Sequence, residues 1–147
     1  MTRALALTAL ATAFSISVTS PASSETAQSL VTVVTSENAQ TQLMAMVLTT
    51  QAVEQGADAR ILLCGPGGDL ALIDAPESAI TPQPPQSATP QGMLQALMER
   101  GVAVEVCAIY LPGLGAEADV LIDGVGVAQP PAMAGAMLDE SAQIWSF

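Results

Sequence analysis

Short apolar runs alternate with segments of helical periodicity along this chain, and this alternation restricts the possible fold more than any other feature. The first run, residues 30–35 (Leu-Val-Thr-Val-Val-Thr), is β-branched and almost continuous, as expected of a strand buried on both faces. Apolar and small residues then recur at helical spacing up to Gly56: Leu43, Met46, Val47, Thr50 and Val53. Strands that alternate with helices predict a parallel sheet covered on both faces.

The rest of the chain continues this pattern. Further strands are predicted at residues 59–64, 102–108, 124–128 and 143–147, and helices from Pro90 to Gly101 and from Pro130 to Leu138. A short helix or turn is predicted around residues 114–121. The predicted fold class is therefore a three-layer α/β/α sandwich with a mainly parallel sheet of about five strands.

Residues 74–90 interrupt the pattern with prolines among Ser, Thr and Gln: Pro76, Pro82, Pro84, Pro85 and Pro90. Because the stretch before Pro90 has no periodicity, it predicts a long surface loop.

The N-terminus has the features of a secretory signal peptide. Arg3 supplies a positive charge, residues 4–18 are mostly apolar, and residues 20–24 (Ser-Pro-Ala-Ser-Ser) are suited to cleavage after Ala22 or Ser24. An uncleaved membrane anchor is the alternative, but the apolar run is shorter than the ~20 residues that cross a bilayer. We therefore expect a signal peptide over residues 1–24, one domain over residues 25–147, and export to the periplasm, with secretion to the medium as the alternative.

Charge excludes several classes of partner. The chain has three Lys and Arg residues against 14 Asp and Glu, a net charge of −11. Nucleic acids and anionic membranes bind through basic residues, so neither is an expected partner. The chain has no histidine, which excludes Ser-His-Asp and Cys-His catalysis and histidine-based zinc or copper sites. The methionines lie at helical core spacing, and we predict neither a metal nor a cofactor.

The chain's two cysteines, Cys64 and Cys107, both fall where a predicted strand ends. Parallel strands end at one edge of the sheet, where α/β domains bind and react. Neighbouring strands lie ~4.8 Å apart, so the two cysteines can form a disulfide if the second and third strands are adjacent. Such a bond is either a structural staple or a reversible redox pair. The spacing is not Cys-x-x-Cys, which gives no support for a thioredoxin-like oxidoreductase.

A reactive cysteine needs groups that stabilise its thiolate, usually cations or helix N-termini. Beyond Arg3 the cations are Arg60 and Arg100, and both are predicted near strand starts, at the opposite edge of the sheet. Activation of Cys107 would therefore come from backbone N–H groups in residues 108–114. The alternative is that Cys107 is a small buried hydrophobe at a strand end.

Residues 65–68 (Gly-Pro-Gly-Gly) follow Cys64 directly. They resemble a phosphate loop but lack the Lys-Ser/Thr that completes one, and Asp69 would repel an anion. A turn that shapes the mouth of the site is the expected role. Candidate binding residues are Gly65, Gly67, Gly68 and Tyr110, although Tyr110 and Trp145 also suit a packing role.

The order of elements resembles the DsrE/DsrF-like family, whose members have a YchN-like fold. Residues 94–107, which read helix, Gly-Val, strand and then Cys107, carry most of this resemblance. It implies an α/β/α domain, assembly into trimers or hexamers, and a role in sulfur transfer in which Cys107 accepts sulfur as a persulfide. Two departures are the length of the proline-rich segment and Pro112-Gly113, which stands where a helix would ordinarily begin and weakens the case for helix-based thiol activation.

Three functions are compatible with these features. The favoured one is an exported sulfur or persulfide carrier that uses Cys107, with Cys64 as a resolving or flanking thiol and a sulfur donor or acceptor protein as partner. The alternative is a non-catalytic oligomeric binding module whose cysteines are buried or disulfide-linked. A thiol peroxidase is the third, but its cysteine would lack cationic surroundings.

Overall fold

A five-stranded parallel sheet forms the centre of the protein. The computed structural model describes residues 28–147. The strands are β1 (Ser29–Val34), β2 (Asp58–Leu63), β3 (Ala103–Val106), β4 (Gly126–Val127) and β5 (Ala142–Ser146). Their order in the sheet is β4-β3-β2-β1-β5, and every neighbouring pair is parallel. The predicted parallel α/β sandwich is confirmed.

Helices connect the strands: α1 (Ala39–Glu54), α2 (Glu77–Ile80), α3 (Pro90–Glu99), α4 (Tyr110–Leu114) and α5 (Pro130–Met137). The two longest helices begin at polar caps. The Asn38 side chain accepts hydrogen bonds from the N–H groups of Gln40 and Thr41, at 3.0 and 3.1 Å. The Thr89 hydroxyl oxygen accepts from the Gly92 N–H at 3.0 Å. These caps satisfy N–H groups that the first helical turn leaves unpaired.

The two faces of the sheet bury different sets of side chains. One face packs against α1 and α3 in the main core, which includes Leu30, Val34, Met46, Ile61, Leu63, Leu94, Leu97, Val104 and Val106. The opposite face has a smaller cluster, in which Val31 and Leu62 pack with Ala128 and with Met133 of α5. Fully burying each large aliphatic side chain contributes ~1.5–3 kcal/mol, so the first face supplies most of the hydrophobic stabilisation.

The proline-rich segment differs from the prediction of a long surface loop. It contains the one-turn helix α2, which packs on α3, and an antiparallel bridge between Gln83 and Ala88. Ala79 of α2 is fully buried in the main core. A single helical turn has no sequence periodicity, which is why the pattern did not predict it.

A second difference concerns Pro112, which was expected to prevent a helix from forming directly after Cys107. Pro112 instead lies in the first turn of α4. Proline is tolerated there because N–H groups of the first turn have no partner within the helix. The helix or turn predicted at residues 114–121 begins earlier, as α4, and is followed by a 3₁₀-helix at Ala118–Val120.

The predicted signal peptide, residues 1–24, lies outside the described residues. Between residues 28 and 147, no helix has the length and apolar character needed to cross a membrane.

Candidate functional site

Cys64 and Cys107 meet at the carboxyl edge of the sheet and form a disulfide. They directly follow β2 and β3, which are adjacent, and their Cα atoms are 5.1 Å apart. The Cys64 N–H donates to the Val34 carbonyl at 2.9 Å, and the Cys107 N–H donates to the Leu63 carbonyl at 2.8 Å. The strand ladder therefore extends to both cysteines and aligns them, as disulfide geometry requires.

The disulfide borders the smaller of the two apolar clusters. Both cysteines are partly buried and pack against the cluster of Val31, Leu62, Ala128 and Met133 under α5. Each also keeps part of its surface exposed to solvent. The pair is thus embedded on one side and open to solvent on another.

The glycine-rich segment after Cys64, predicted as a turn that shapes the mouth of the site, is a 3₁₀-helix, Gly65–Ala71. The Gly67 N–H donates to the Cys64 carbonyl at 3.1 Å. A Cβ atom on Gly67 would collide with the Val34 carbonyl, and one on Gly68 would overlap the Tyr110 ring. These two glycines therefore permit close packing beneath the site.

Tyr110 connects the two segments that follow the cysteines. Its N–H donates to the Cys107 carbonyl at 2.8 Å, and its hydroxyl donates to Asp69 Oδ1 at 2.7 Å. Burial, with the hydrogen bond and negative charge of Asp69, raises the pKa of Tyr110 well above its ordinary value of 10.0. Tyr110 is therefore a neutral phenol at physiological pH. The role of Asp69 was missed because its partner lies 41 residues away in the sequence.

A cleft of about 420 Å³ opens at the carboxyl edge of the sheet, between the segments that follow the two cysteines. Its walls come from the segments after β1, β2 and β3: Glu37, Gly65, Pro66, Asp69, Ile109, Tyr110, Gly113 and Leu114. Of the predicted binding residues, Gly65 and Tyr110 line this cleft, whereas Gly67 and Gly68 are buried and do not. Neither cysteine lines the cleft, but Gly65, the residue after Cys64, and Ile109, two residues after Cys107, both do. Its charged groups are two carboxylates, Glu37 and Asp69.

Neither of the two arginines among the described residues lines this cleft. Arg60, near the start of β2, is 3.9 Å from Glu105, and Arg100, just before β3, is 3.1 Å from Glu54. Both pairs are partly solvent-exposed, so each is worth at most about 1 kcal/mol. Within residues 28–147, no group of three or more acidic or cysteine side chains is arranged to hold a metal ion.

No known protein-family model matches the chain, and no curated protein matches it. Solved structures do. The YchN protein of E. coli is 20% identical over 83% of this chain and 100% of its own, with a TM-score of 0.65. MTH1491 of Methanobacterium thermoautotrophicum, described as a protein of unknown function, is 16% identical over 81% of this chain and 98% of its own, with a TM-score of 0.59.

At these identities the likeness concerns the fold. The chain is a parallel α/β sandwich with a disulfide at the carboxyl edge of its sheet. More narrowly, it has the YchN-like fold, which the DsrE/DsrF resemblance also implied.

Proposed function

We propose that this protein is an exported, DsrE-like sulfur-handling protein in which Cys107 accepts sulfur and Cys64 resolves the product. One observation carries the proposal: the only two cysteines are disulfide-bonded at the edge of the sheet where α/β domains bind ligands. Export to the periplasm rests on the signal-like residues 1–24. An oxidising compartment makes the disulfide a natural resting state.

The proposed reaction uses the disulfide as its end point. The Cys107 thiolate attacks the outer sulfur of a donor persulfide, the donor leaves as a thiolate, and Cys107 becomes a persulfide. The Cys64 thiolate then attacks the Cys107 sulfur, and the terminal sulfur leaves as sulfide with the bonding electron pair. The product is the Cys64–Cys107 disulfide, and a partner dithiol that is itself oxidised to a disulfide restores both thiols.

The order of the two cysteines can be tested with single variants. Reduced protein freed of reductant is mixed with a small persulfide whose carbon chain carries no charge, and its mass is followed alongside released sulfide. We expect Cys64→Ser to retain an adduct of about 32 Da on Cys107, because the resolving thiol is missing. Wild type is expected to return to the disulfide and release sulfide.

Cys107→Ser is the matched control, since it keeps one thiol at the same edge of the sheet. We expect it to gain little adduct and release no sulfide by resolution. Equal labelling of the two variants, or no labelling of either, would contradict the assigned roles.

A structural staple is the second candidate, favoured by the packing of both cysteines against the apolar cluster under α5. A staple predicts a disulfide that resists thiols while the chain is folded. It also predicts that the Cys64→Ala/Cys107→Ala variant loses stability, and that the reduced wild type releases no sulfide from a persulfide donor.

Self-association is also proposed, through the outer face of α1. Met44, Val47 and Leu48 are exposed there, and residues 39–53 carry no charged side chain. Chains with a net charge of −11 repel one another, so they associate best through a surface free of carboxylates.

A further inference from the structure

We infer that the partner of the Cys64–Cys107 disulfide is a thiol carried on a cationic, partly apolar segment of another protein, and that free anionic thiols are poor partners. The inference rests on the proposed function, because it requires that the disulfide exchanges. It goes further by assigning the chemistry of the partner from the surface beside the bond.

The charged side chains of that surface are both carboxylates. Glu37 and Asp69 line the cleft between the segments that follow the cysteines, and no lining residue is basic. Of the two arginines that follow residue 27, Arg60 is paired with Glu105 within the sheet and Arg100 with Glu54 at the opposite edge, and neither lines the cleft. The chain as a whole adds a net charge of −11.

A thiol reacts with a disulfide as its thiolate, which is itself an anion. At this edge of the sheet an incoming thiolate meets carboxylates of the same sign, which slows its approach. Lysine or arginine residues beside the attacking cysteine turn this repulsion into an attraction between the incoming segment and the carboxylates. Electrostatic steering of this kind changes association rates by roughly 10-fold to 1,000-fold at low ionic strength.

The cleft also offers apolar surface to a partner. Ile109 is 80% exposed and Leu114 is 50% exposed, and both line the cleft with Pro66. Ile109 is two residues from Cys107, and Pro66 is two residues from Cys64. A segment that places apolar side chains against Ile109 and Leu114 therefore brings its own cysteine close to the disulfide. Apolar contact and cationic charge together define the partner.

The exchange itself balances without another reactant. The partner thiolate bonds to one sulfur of the disulfide, the sulfur–sulfur bond breaks, and the electron pair leaves on the other cysteine, which is protonated by solvent. A second thiolate of the partner then attacks the mixed disulfide. The protein gains two thiols, and the partner dithiol is oxidised to a disulfide.

The test compares two synthetic peptides that each contain one cysteine between two leucines. One peptide carries flanking lysines and the other flanking glutamates. Full-length mature protein in its disulfide form is mixed with each peptide in excess, so that a second peptide completes the reduction. The rate of protein thiol formation is divided by the thiolate concentration of each peptide.

We expect the lysine peptide to react at least about tenfold faster at low salt. The ratio should fall towards one at about 1 M salt, where the Debye length is near 3 Å.

Paired charge variants separate the local surface from the net charge. Glu37→Gln/Asp69→Asn removes both carboxylates of the cleft, and Asn at position 69 can still accept the Tyr110 hydrogen bond. Asp58→Asn/Glu99→Gln removes two exposed carboxylates near strand starts, at the opposite edge. We expect the first variant to lose most of the preference for the lysine peptide and the second to keep it.

Equal rates with the two peptides, or equal losses of preference in the two variants, would overturn the inference. Dithiothreitol, which is uncharged as a thiol, provides the separate check on the proposed function. A disulfide that resists dithiothreitol until the chain unfolds would contradict the proposed function and, with it, the inferred partner. Ready reduction by dithiothreitol, together with equal rates for the lysine and glutamate peptides, would contradict only the inferred partner and leave the proposed function standing.

Discussion

Tyr110 holds the two segments that carry the cysteines in a fixed relation. Its backbone is hydrogen-bonded to Cys107, its ring packs on Gly68, and its hydroxyl donates to Asp69. The phenol must remain protonated to donate this hydrogen bond. The stability of the carboxyl edge is therefore linked to the ionisation of one side chain.

Alkaline pH is expected to weaken the fold through Tyr110. Its pKa in the folded chain is raised above the ordinary value of 10.0. The unfolded chain therefore loses its proton first, and the contribution to stability, complete below pH 10.0, is lost as pH rises towards the folded pKa. Urea unfolding measured from neutral pH to about pH 11 should show this decline in wild type.

Tyr110→Phe is the control for that experiment. It should be less stable by about 1–3 kcal/mol at neutral pH, because a hydrogen bond to a carboxylate is lost. Above pH 10.0 its stability should fall less steeply than that of wild type. Parallel declines in the two proteins would contradict the role given to Tyr110. The chain has a single tyrosine, so tyrosinate absorbance reports this residue alone.

Gly67 is a second residue on which the edge depends. An alanine there would place a Cβ against the Val34 carbonyl, and we expect Gly67→Ala to cost about 1–3 kcal/mol of unfolding free energy. Gly135, inside α5, has open space at its Cβ position. Gly135→Ala should instead stabilise the protein by up to about 1 kcal/mol, since alanine favours helix. Urea unfolding compares the two, and equal effects would contradict the close packing at Gly67.

At the scale of elements, α1 has two differently used faces. Ala45 and Met46 are fully buried in the main core, whereas Met44, Val47 and Leu48 are exposed. An amphipathic helix normally presents polar or charged residues to water. The uncharged, partly apolar outer face is the observation behind the proposed self-association.

Replacing that face should change the state of assembly. We expect wild type to sediment as an oligomer and Met44→Gln/Leu48→Gln to shift towards monomer, because the contact loses apolar area. Ile73→Gln, which changes a side chain that is 62% exposed elsewhere on the surface, is the matched control and should not shift. A monomeric wild type, or a variant that sediments like wild type, would contradict self-association through α1.

The sequence predicted the repeating elements well, because their signals are local. The ends of the strands lie within about two residues of their predicted positions, and the helix after Thr89 begins at Pro90 as predicted. Short helices were predicted poorly. The single turn of α2 is too short to show a helical period. Pro112 indicates a helix break unless it is known that α4 begins at Tyr110, which places the proline in the first turn.

The site itself depends on contacts between distant residues. The positions of Cys64 and Cys107 at strand ends were predictable, but their pairing required β2 and β3 to be neighbours, which sequence periodicity alone does not establish. The hydrogen bond between Tyr110 and Asp69 and the close packing of Gly67 against the Val34 carbonyl also join residues that are far apart in the sequence. Residue types and spacings identified the candidates, and the sheet order brought them together.

For the whole molecule, the disulfide closes a loop between residues that are 43 positions apart. Loop-closure entropy sets its stabilising effect at about 4 kcal/mol. Cys107 packs at the margin of the hydrophobic core on the α1 and α3 face, but the largest fully buried side chains of that core, such as Met46, Ile61 and Leu94, are not cysteines. We therefore expect the reduced protein to remain folded, which the proposed cycle between dithiol and disulfide requires.

The reduction potential of the Cys64–Cys107 pair separates a working sulfur site from a staple. It is measured by equilibrating the folded protein with glutathione or dithiothreitol redox buffers and counting protein thiols by mass after alkylation. Structural disulfides of exported proteins have potentials below about −300 mV, and exchangeable ones lie higher. We predict a value above that limit, with the reduced chain still folded. A value well below it, or reduction only upon unfolding, would contradict sulfur handling by this pair and leave the disulfide as a staple.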